Sequence, residues 1–265
     1  MRSGTISLSD DFRSGIASSW RTHLVGGGQL ATTPGGLRLS YRAARADSYT
    51  NAQIDDYQGL PRSRFHWRPP LSLRVTARFS HPTDQLRGTA GFGFWNDPFA
   101  MTGARLPTLP RAIWFFFNSA DAPLKLALET PGYGWRAATI DGWRAPFLLL
   151  SPTIPAALIL LRWRWLYRRA WPLAQWAMGV AEALIDVDLT VWHTYEIYWG
   201  ARQAIFRVDG ADLFTTGRSP RGPLGLVLWI DNQGMVVTPW QLPSHRLLSV
   251  EHEQWLEVGK VMITT

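Results

Sequence analysis

The sequence predicts an all-β sandwich, and three observations lead to this prediction. Residues Leu71 to Phe79 alternate apolar and polar side chains, which is the pattern of a strand with one buried face. Gly91 to Trp95 and Ala112 to Phe117 are short, dense apolar runs, as expected of central strands buried on both faces. Glycine-rich turns, such as Gly26 to Gly28, separate the apolar runs near the N-terminus.

The other strands follow in chain order. Short apolar runs from Ile6 to Leu39 predict the first of them. One all-β domain commonly reaches ~200–250 residues, so we predict a single sandwich domain over residues 1–265 with one insertion. Further strands are predicted at Leu124 to Glu129, Trp135 to Ile140, His193 to Trp199, Ala204 to Val208, Leu213 to Thr215, Leu224 to Ile230 and Leu256 to Ile263.

Residues 145–185 form the insertion, which breaks the strand pattern. It is apolar, contains no acidic residue before Glu182, and continues from Arg162 to Arg169 as tryptophans and arginines in near alternation. Its apolar runs are shorter than the ~20 residues of a spanning helix, so a transmembrane segment is not expected. We predict a largely helical element. Two interpretations stay open: a membrane-surface element, or a hairpin that covers a cleft or an oligomer contact. The predicted membrane contacts are Trp163, Arg164, Trp165 and Arg168.

Composition excludes several classes of function. The net charge of +7 comes from scattered basic residues, of which only Lys125 and Lys260 are lysines, and no nucleic-acid-binding motif is present, so no nucleic-acid partner is expected. The chain has no cysteine, and its histidines lack metal-ligand spacing, so neither a zinc site nor a cofactor is expected. Calcium binding through backbone carbonyls stays open. Residues 1–11 lack an apolar signal core, which predicts a cytoplasmic protein, and the insertion suggests a peripheral position on the membrane. The sequence leaves the oligomeric state open.

Two motifs late in the chain carry a family resemblance. His193 to Trp199 reads HTYEIYW, and Ile205 to Gly210 reads IFRVDG. Together with Gly91 to Trp95 and Pro223 to Trp229, they resemble the family 16 glycoside hydrolases. The resemblance covers roughly Asp10 to Val258 without the insertion, and it implies a concanavalin A-like jelly-roll sandwich.

The resemblance fails at the catalytic strand. In that family the strand after the tryptophan-containing strand carries E-x-D-x-(x)-E, which places the carboxylates on one face of the cleft. Here Ala112, Trp114 and Phe116 or Phe117 occupy those positions. A retaining glycosidase needs two carboxyl groups, so ordinary glycanase activity is not expected. The cleft becomes apolar, which suits a ligand with a large hydrocarbon surface, although sugars also stack on tryptophan.

Asp231 is the first candidate for acid–base chemistry, because it directly follows an apolar strand that should lead into the cleft. Apolar surroundings would favour its protonated form, but Asp-Asn-Gln-Gly is also good turn chemistry. Asp55 is the second candidate, and of the pair Asp55 and Asp56 at most one side chain can enter the cleft. Glu129 is expected in a buried strand. The candidate substrate contacts are Trp95, Asn96, Asp97, Trp114, Phe116, Asn118, Glu129, Trp229 and Asn232.

Three functional hypotheses follow from these residues. The first is a membrane-surface protein that binds an apolar lipid- or isoprenoid-like molecule, and as an enzyme would cyclise, isomerise or hydrate it without a cofactor. The second is a non-catalytic, lectin-like module for a glycan or glycolipid. The third is a hydrolase with displaced carboxylates, which requires Glu129 and Asp97 to face each other across about 5–9.5 Å.

Overall fold

The computed structural model describes residues 5–101, 106–236 and 244–265. Within these ranges the chain is mostly β-strand, with three α-helices between β9 and β10 and single 3-10 turns at Arg62–Arg64 and Ser151–Thr153. The strands are β1 Ile6–Asp10, β2 Arg21–Val25, β3 Gly28–Thr33, β4 Gly36–Tyr41, β5 Asn51–Asp55, β6 Leu71–Phe79, β7 Thr89–Trp95, β8 Arg111–Asn118, β9 Gly134–Asp141, β10 Ala181–Leu184, β11 His193–Trp199, β12 Ala204–Val208, β13 Ala211–Thr216, β14 Gly225–Asp231, β15 Gln233–Val236, β16 Ser244–Leu247 and β17 Gln254–Thr264. The helices are α1 Ala145–Leu150, α2 Ile154–Leu160 and α3 Arg164–Ala177.

Two antiparallel sheets pack face to face, which confirms the predicted β-sandwich. The first sheet has the order β13-β12-β11-β6-β17-β4-β3, with β1 also paired to β17. The second sheet has the order β10-β9-β8-β7-β14-β5-β2. Strands β15 and β16 form a separate hairpin. Several neighbours, such as β6 and β17 or β7 and β14, are distant in sequence, so the chain crosses repeatedly between the sheets, as it does in a jelly roll.

The main core lies between the sheets, where alternate side chains of each strand meet. Phe92 of β7 and Phe115 of β8 each lie 5.2 Å, centroid to centroid, from the ring of Tyr195 on β11 in the opposite sheet. Tyr195 belongs to the HTYEIYW motif, so this part of the resemblance reflects core packing. On β6, the residues that the alternation assigned to the interior are buried.

The same alternation defines the outer face of the second sheet. Ile113, Phe115 and Phe117 of β8 point into the core, so Ala112, Trp114 and Phe116 point outward together. The three positions that correspond to the family's carboxylates therefore share one face, as the sequence predicted. No carboxylate occupies any of them.

The helices α1, α2 and α3 confirm that the insertion is largely helical. They end at Ala177, and the last part of the predicted insertion is instead strand β10, which extends the second sheet beside β9. No helix in the described part of the chain is long and apolar enough to cross a membrane.

The predicted strand from Leu124 to Glu129 is wrong, because this segment is an irregular loop. The loop is held against the outer face of the second sheet. Arg136 on β9 donates to the Leu124 carbonyl (3.1 Å), and the Ala127 amide donates to Glu182 on β10 (3.1 Å). Glu129 is exposed, which corrects the expectation that it lies in a buried strand.

Candidate functional site

Three tryptophans form the centre of the outer face, and we call them the indole floor: Trp95 on β7, Trp114 on β8 and Trp229 on β14. Their ring centroids are 5.5 to 6.3 Å apart, and the rings of Trp95 and Trp229 are parallel within 3°. Trp95 is buried, whereas Trp114 and Trp229 are half-buried. The sequence predicted all three as wall residues, and the structure brings them together.

Two glycines of the central strand β7 make room for the floor. A Cβ atom at Gly93 would lie 2.6 Å from the Cβ of Trp114, and one at Gly91 would lie 3.0 Å from the ring of Trp229. A side chain at either position would also collide with a backbone oxygen of β8, so the close approach of β8 and of these tryptophans to β7 depends on glycine. Sequence reasoning took this strand as a plain apolar run and missed the alternate glycines, which were the available signal.

The end of the floor near Trp95 rests on a buried polar network. The Trp95 indole donates to the Tyr57 hydroxyl (2.7 Å), and Gln53 donates to that hydroxyl (3.3 Å) and to Asp55 (3.0 Å). Asp55 also accepts the backbone amides of Tyr57 (3.1 Å) and Gln58 (2.8 Å). Burial raises the pKa of Asp55, and these hydrogen bonds oppose the rise.

Asp56 lies on the other side of the chain from Asp55, as alternation required. Its carboxylate accepts hydrogen bonds from the Trp67 indole and the Leu226 amide. Burial raises the pKa of Asp56 to about 6. Of the two neighbouring acids, only Asp55 therefore belongs to the network beneath the floor.

The opposite end of the floor carries Asp231. Thr89 donates to its carboxylate (2.6 Å) and accepts the indole N–H of Trp229 (3.0 Å). The Tyr49 hydroxyl donates to the other carboxylate oxygen (3.1 Å). Burial raises the pKa of Asp231 to about 7, although these hydrogen bonds favour the charged form. Burial and the charge of Asp231 likewise raise the pKa of Tyr49.

Two accessible polar side chains, Gln233 and His245, lie next to this end of the floor. The Gln233 amide N–H lies 3.3 Å from an Asp231 oxygen, and the side chain of Gln233 is 2.8 Å from Nε2 of the exposed His245. Sequence reasoning singled out neither Tyr49 nor Thr89, because both are distant from Asp231 along the chain.

A buried ion pair fills the side of the face next to β10. Arg136 and Glu182 are 2.9 Å apart, and both side chains are fully buried. The Arg136 guanidinium also lies 4.4 Å from the Phe116 ring centroid and donates to Asn118. Loss of hydration lowers the pKa of Arg136, and Glu182 opposes this effect. Phe116 is therefore covered, which leaves Trp114 and Trp229 as the accessible part of the face. The signal in the sequence was an arginine in the middle of an apolar strand.

The remaining polar candidates are buried, and they hold loops together. Asn118 donates to two backbone carbonyls of the loop that follows β8, and Asn232 donates to three carbonyls around the end of β14. Asn96 bridges the two ends of the connection from β7 to β8, and Asp97 accepts the Met101 amide (2.9 Å). These hydrogen bonds hold in place the loops that follow β7, β8 and β14.

The predicted membrane contacts lie at the start of α3 and just before it. Trp163 and Trp165 are 74% and 65% exposed, and Arg164 and Arg168 are exposed as well. The second half of the helix approaches the face, because the Trp171 indole donates to the Leu126 carbonyl (2.8 Å). Leu126, together with Met178 and Val180 after α3, packs in the same apolar cluster as Trp95 and Trp114.

Within the part of the chain that the structure describes, the outer face lacks the carboxylate pair of a retaining glycosidase. Among the described residues of the outer face, Asp55, Asp231 and Glu182 each accept hydrogen bonds from protein groups. Glu129 is exposed and Asp97 is fully buried in a turn, an arrangement that gives no pair of facing carboxylates. The face presents two accessible indole rings, Trp114 and Trp229, beside the carboxyl group of Asp231, whose pKa is raised.

No family model matches the sequence, and no curated protein matches it. Solved structures do match the fold. A chain from work on endo-acting O-glycanases, which prominent members of the human gut microbiota express to initiate mucin breakdown, is 14% identical with a TM-score of 0.56, covering 98% of this chain and 99% of that one.

Two further structures match at similar levels. LamA from Z. galactanivorans, solved with laminaritriose and laminaritetraose, is 14% identical with a TM-score of 0.55, covering 99% of this chain and 100% of that one. The catalytic domain of an endo-1,3-beta-glucanase (laminarinase) from Thermotoga petrophila is 10% identical with a TM-score of 0.53, covering 99% and 98%. At such identities the comparison shows the fold, and it confirms the concanavalin A-like jelly roll.

Proposed function

We propose that this chain, which has the concanavalin A-like jelly-roll fold seen in family 16 glycoside hydrolases, is a lectin-like module that binds a glycan or the glycan part of a glycolipid without cleaving it. The indole floor carries the proposal. Trp114 and Trp229 present half-buried rings, 5.5 Å apart, on the outer face of the second sheet. Flat, rigid aromatic surfaces of this kind suit the apolar face of a sugar ring.

A sugar also needs hydrogen bonds, and the end of the floor near Asp231 supplies them. Gln233 is half-buried and His245 is exposed, so both can reach a bound hydroxyl group. The similar structures support this choice of ligand class, because the names of all three refer to glycan-degrading activity or to bound oligosaccharides.

The replaced catalytic positions argue for binding without turnover. Ala112, Trp114 and Phe116 stand where the resemblance places the catalytic carboxylates, and none can act as a nucleophile or as an acid. Trp114 therefore places an aromatic ring for ligand contact where the resemblance places a catalytic carboxylate.

The test is titration with oligosaccharides, laminaritriose and mucin-type O-glycans included, followed by calorimetry. Trp114→Ala and Trp229→Ala should each weaken binding by about tenfold or more, because they remove central aromatic contacts. Trp176→Ala is the matched control, since Trp176 is a partly exposed tryptophan on α3 outside the floor, and it should bind normally. Chromatography should recover the ligand uncleaved. Equal binding by all three variants would sink the proposal.

A second candidate function is the binding and conversion of an apolar lipid- or isoprenoid-like molecule, and the raised pKa of Asp231 supports it. A buried carboxyl with a pKa of about 7 can hold a proton at neutral pH and deliver it to an apolar substrate, as cyclisation, isomerisation or hydration requires. In the same titration, farnesol would then bind in preference to the oligosaccharides. Any conversion should vanish in Asp231→Asn, and if it does not, Asp231 is not the proton donor.

A further inference from the structure

The helical insertion exposes an unusual amount of apolar surface. Leu149 on α1 is 80% exposed, and Ile159 and Trp163, which flank the turn between α2 and α3, are 70% and 74% exposed. Soluble surfaces seldom carry contiguous apolar patches of this kind without a partner.

On α3 the exposure follows one helix face. Trp165, Leu173 and Trp176 are exposed and lie at i, i+8 and i+11, with Arg168 and Arg169 between them on the same side. The opposite side carries Tyr167, which is buried. The helix therefore turns a stripe of tryptophan, leucine and arginine to the outside.

The helical part of the insertion, residues 145–177, carries only positive side-chain charge. No Asp or Glu lies between Asp141 and Glu182, whereas the tip and the first turns of α3 carry Arg162, Arg164, Arg168 and Arg169. Arg164, Trp165, Arg168 and Arg169 line a shallow groove of about 450 Å³. The guanidinium of Arg169 lies 4.7 Å from the ring centroid of Trp165.

We propose that the helical insertion docks this protein on the surface of an anionic lipid bilayer. Indole rings and guanidinium groups both favour the headgroup zone, and leucine and isoleucine between them can enter the acyl boundary. The groove at the start of α3 then receives a lipid phosphate, which arginine binds through paired N–H groups.

A second copy of the chain fits this surface less well. In a two-fold dimer the same patch meets itself, so the arginines of one copy would face those of the other. A bilayer with anionic headgroups supplies the opposite charge together with an apolar interior. Membrane docking is independent of which ligand the indole floor binds.

The test uses the full chain and vesicles of phosphatidylcholine, with or without about one quarter phosphatidylglycerol. The protein should float with the anionic vesicles at about 0.05 M salt and bind much less at about 0.5 M salt. Arg164→Gln/Arg168→Gln/Arg169→Gln should lose about tenfold or more of this affinity. Ile159→Ser/Trp163→Ser/Trp165→Ser should lose it at both salt concentrations. Arg202→Gln/Leu213→Ala, which alters an exposed residue of the turn between β11 and β12 and one of β13, is the matched control and should bind as the wild type does.

Because the chain has no cysteine, one engineered thiol reports the contact directly. A polarity-sensitive dye on Ile159→Cys should brighten and shift to the blue with anionic vesicles, whereas the same dye on Leu213→Cys should not respond. Absence of flotation, equal binding by all variants, or a dye response without vesicles that accompanies dimer formation would each overturn the proposal. Oligosaccharide titration of the arginine variant separates the two proposals, because its glycan affinity should stay unchanged.

Discussion

At the scale of single residues, Asp231 shows how burial outweighs hydrogen bonding. Its carboxylate accepts two hydroxyl groups and one amide N–H, all of which favour the charged form. Its pKa is nevertheless raised to about 7, because the side chain is buried. The Thr89 hydroxyl donates to this carboxylate and accepts the indole N–H of Trp229. The charge state of Asp231 is therefore linked to the indole floor through Thr89.

This linkage predicts how stability depends on pH. In the folded state the carboxyl group of Asp231 stays protonated up to about pH 7, whereas in the unfolded chain it loses its proton near its ordinary pKa of 3.8. Between these two pH values the folded state binds the proton more tightly, so folding is favoured at low pH. The free energy of unfolding should therefore fall by about 2–3 kcal/mol between about pH 5 and about pH 8 through the titration of Asp231.

Asp231→Asn should remove this part of the pH dependence, because the amide does not titrate. Urea unfolding of both proteins at the two pH values measures the difference. A parallel pH dependence of the two proteins would contradict the raised pKa.

At the scale of secondary-structure elements, the pair of Arg136 and Glu182 decides how β9, β10 and the loop before β9 fit together. The ion pair joins the two strands, and each partner also binds the loop, Arg136 at the Leu124 carbonyl and Glu182 at the Ala127 amide. A buried charge is costly unless it is paired, so each partner depends on the other.

Arg136→Met should therefore destabilise the protein by about 3–5 kcal/mol, because Glu182 stays buried without its partner. Arg136→Met/Glu182→Gln should recover part of this loss. Arg45→Ala breaks a pair that is exposed on both sides and should change stability by less than about 1 kcal/mol. Thermal unfolding of the three variants compares them, and similar losses for Arg136→Met and Arg45→Ala would rule out a structural role for the buried pair.

At the scale of the whole molecule, the helical insertion is an addition to a complete sandwich. The core between the sheets contains no residue of α1, α2 or α3. The two ends of the insertion also meet, because the Asp141 amide donates to the Met178 carbonyl (2.7 Å). A short connection can therefore replace the helices without separating β9 from β10.

Replacement of residues 145–177 by a loop of about five Gly and Ser residues should leave cooperative unfolding intact. The melting temperature should fall by no more than about 5 °C, since the loss includes the buried Tyr167 and Ala177 and the bond from Trp171 to Leu126 but no residue of the core between the sheets. Circular dichroism and calorimetry measure this. Loss of the cooperative transition would mean that the helices support the sandwich.

The sequence by itself determined the features that depend on local periodicity. Alternation predicted β6 with its buried face, and it placed Ala112, Trp114 and Phe116 on one side of β8. Apolar composition without acidic residues predicted the helical insertion, although not its end at Ala177. Each of these depends on neighbours within a few positions.

Only the tertiary structure decided which distant residues complete the site. The segment from Leu124 to Glu129 has the composition of a strand, but Arg136 and Glu182 hold it as a loop, and Glu182 lies more than fifty residues away. Asp231 likewise receives its partners from Tyr49 and Thr89, which β-sheet pairing brings together from distant parts of the chain. The pKa of a carboxyl group depends on these partners and on burial, and neither can be inferred from the residues beside it in the sequence.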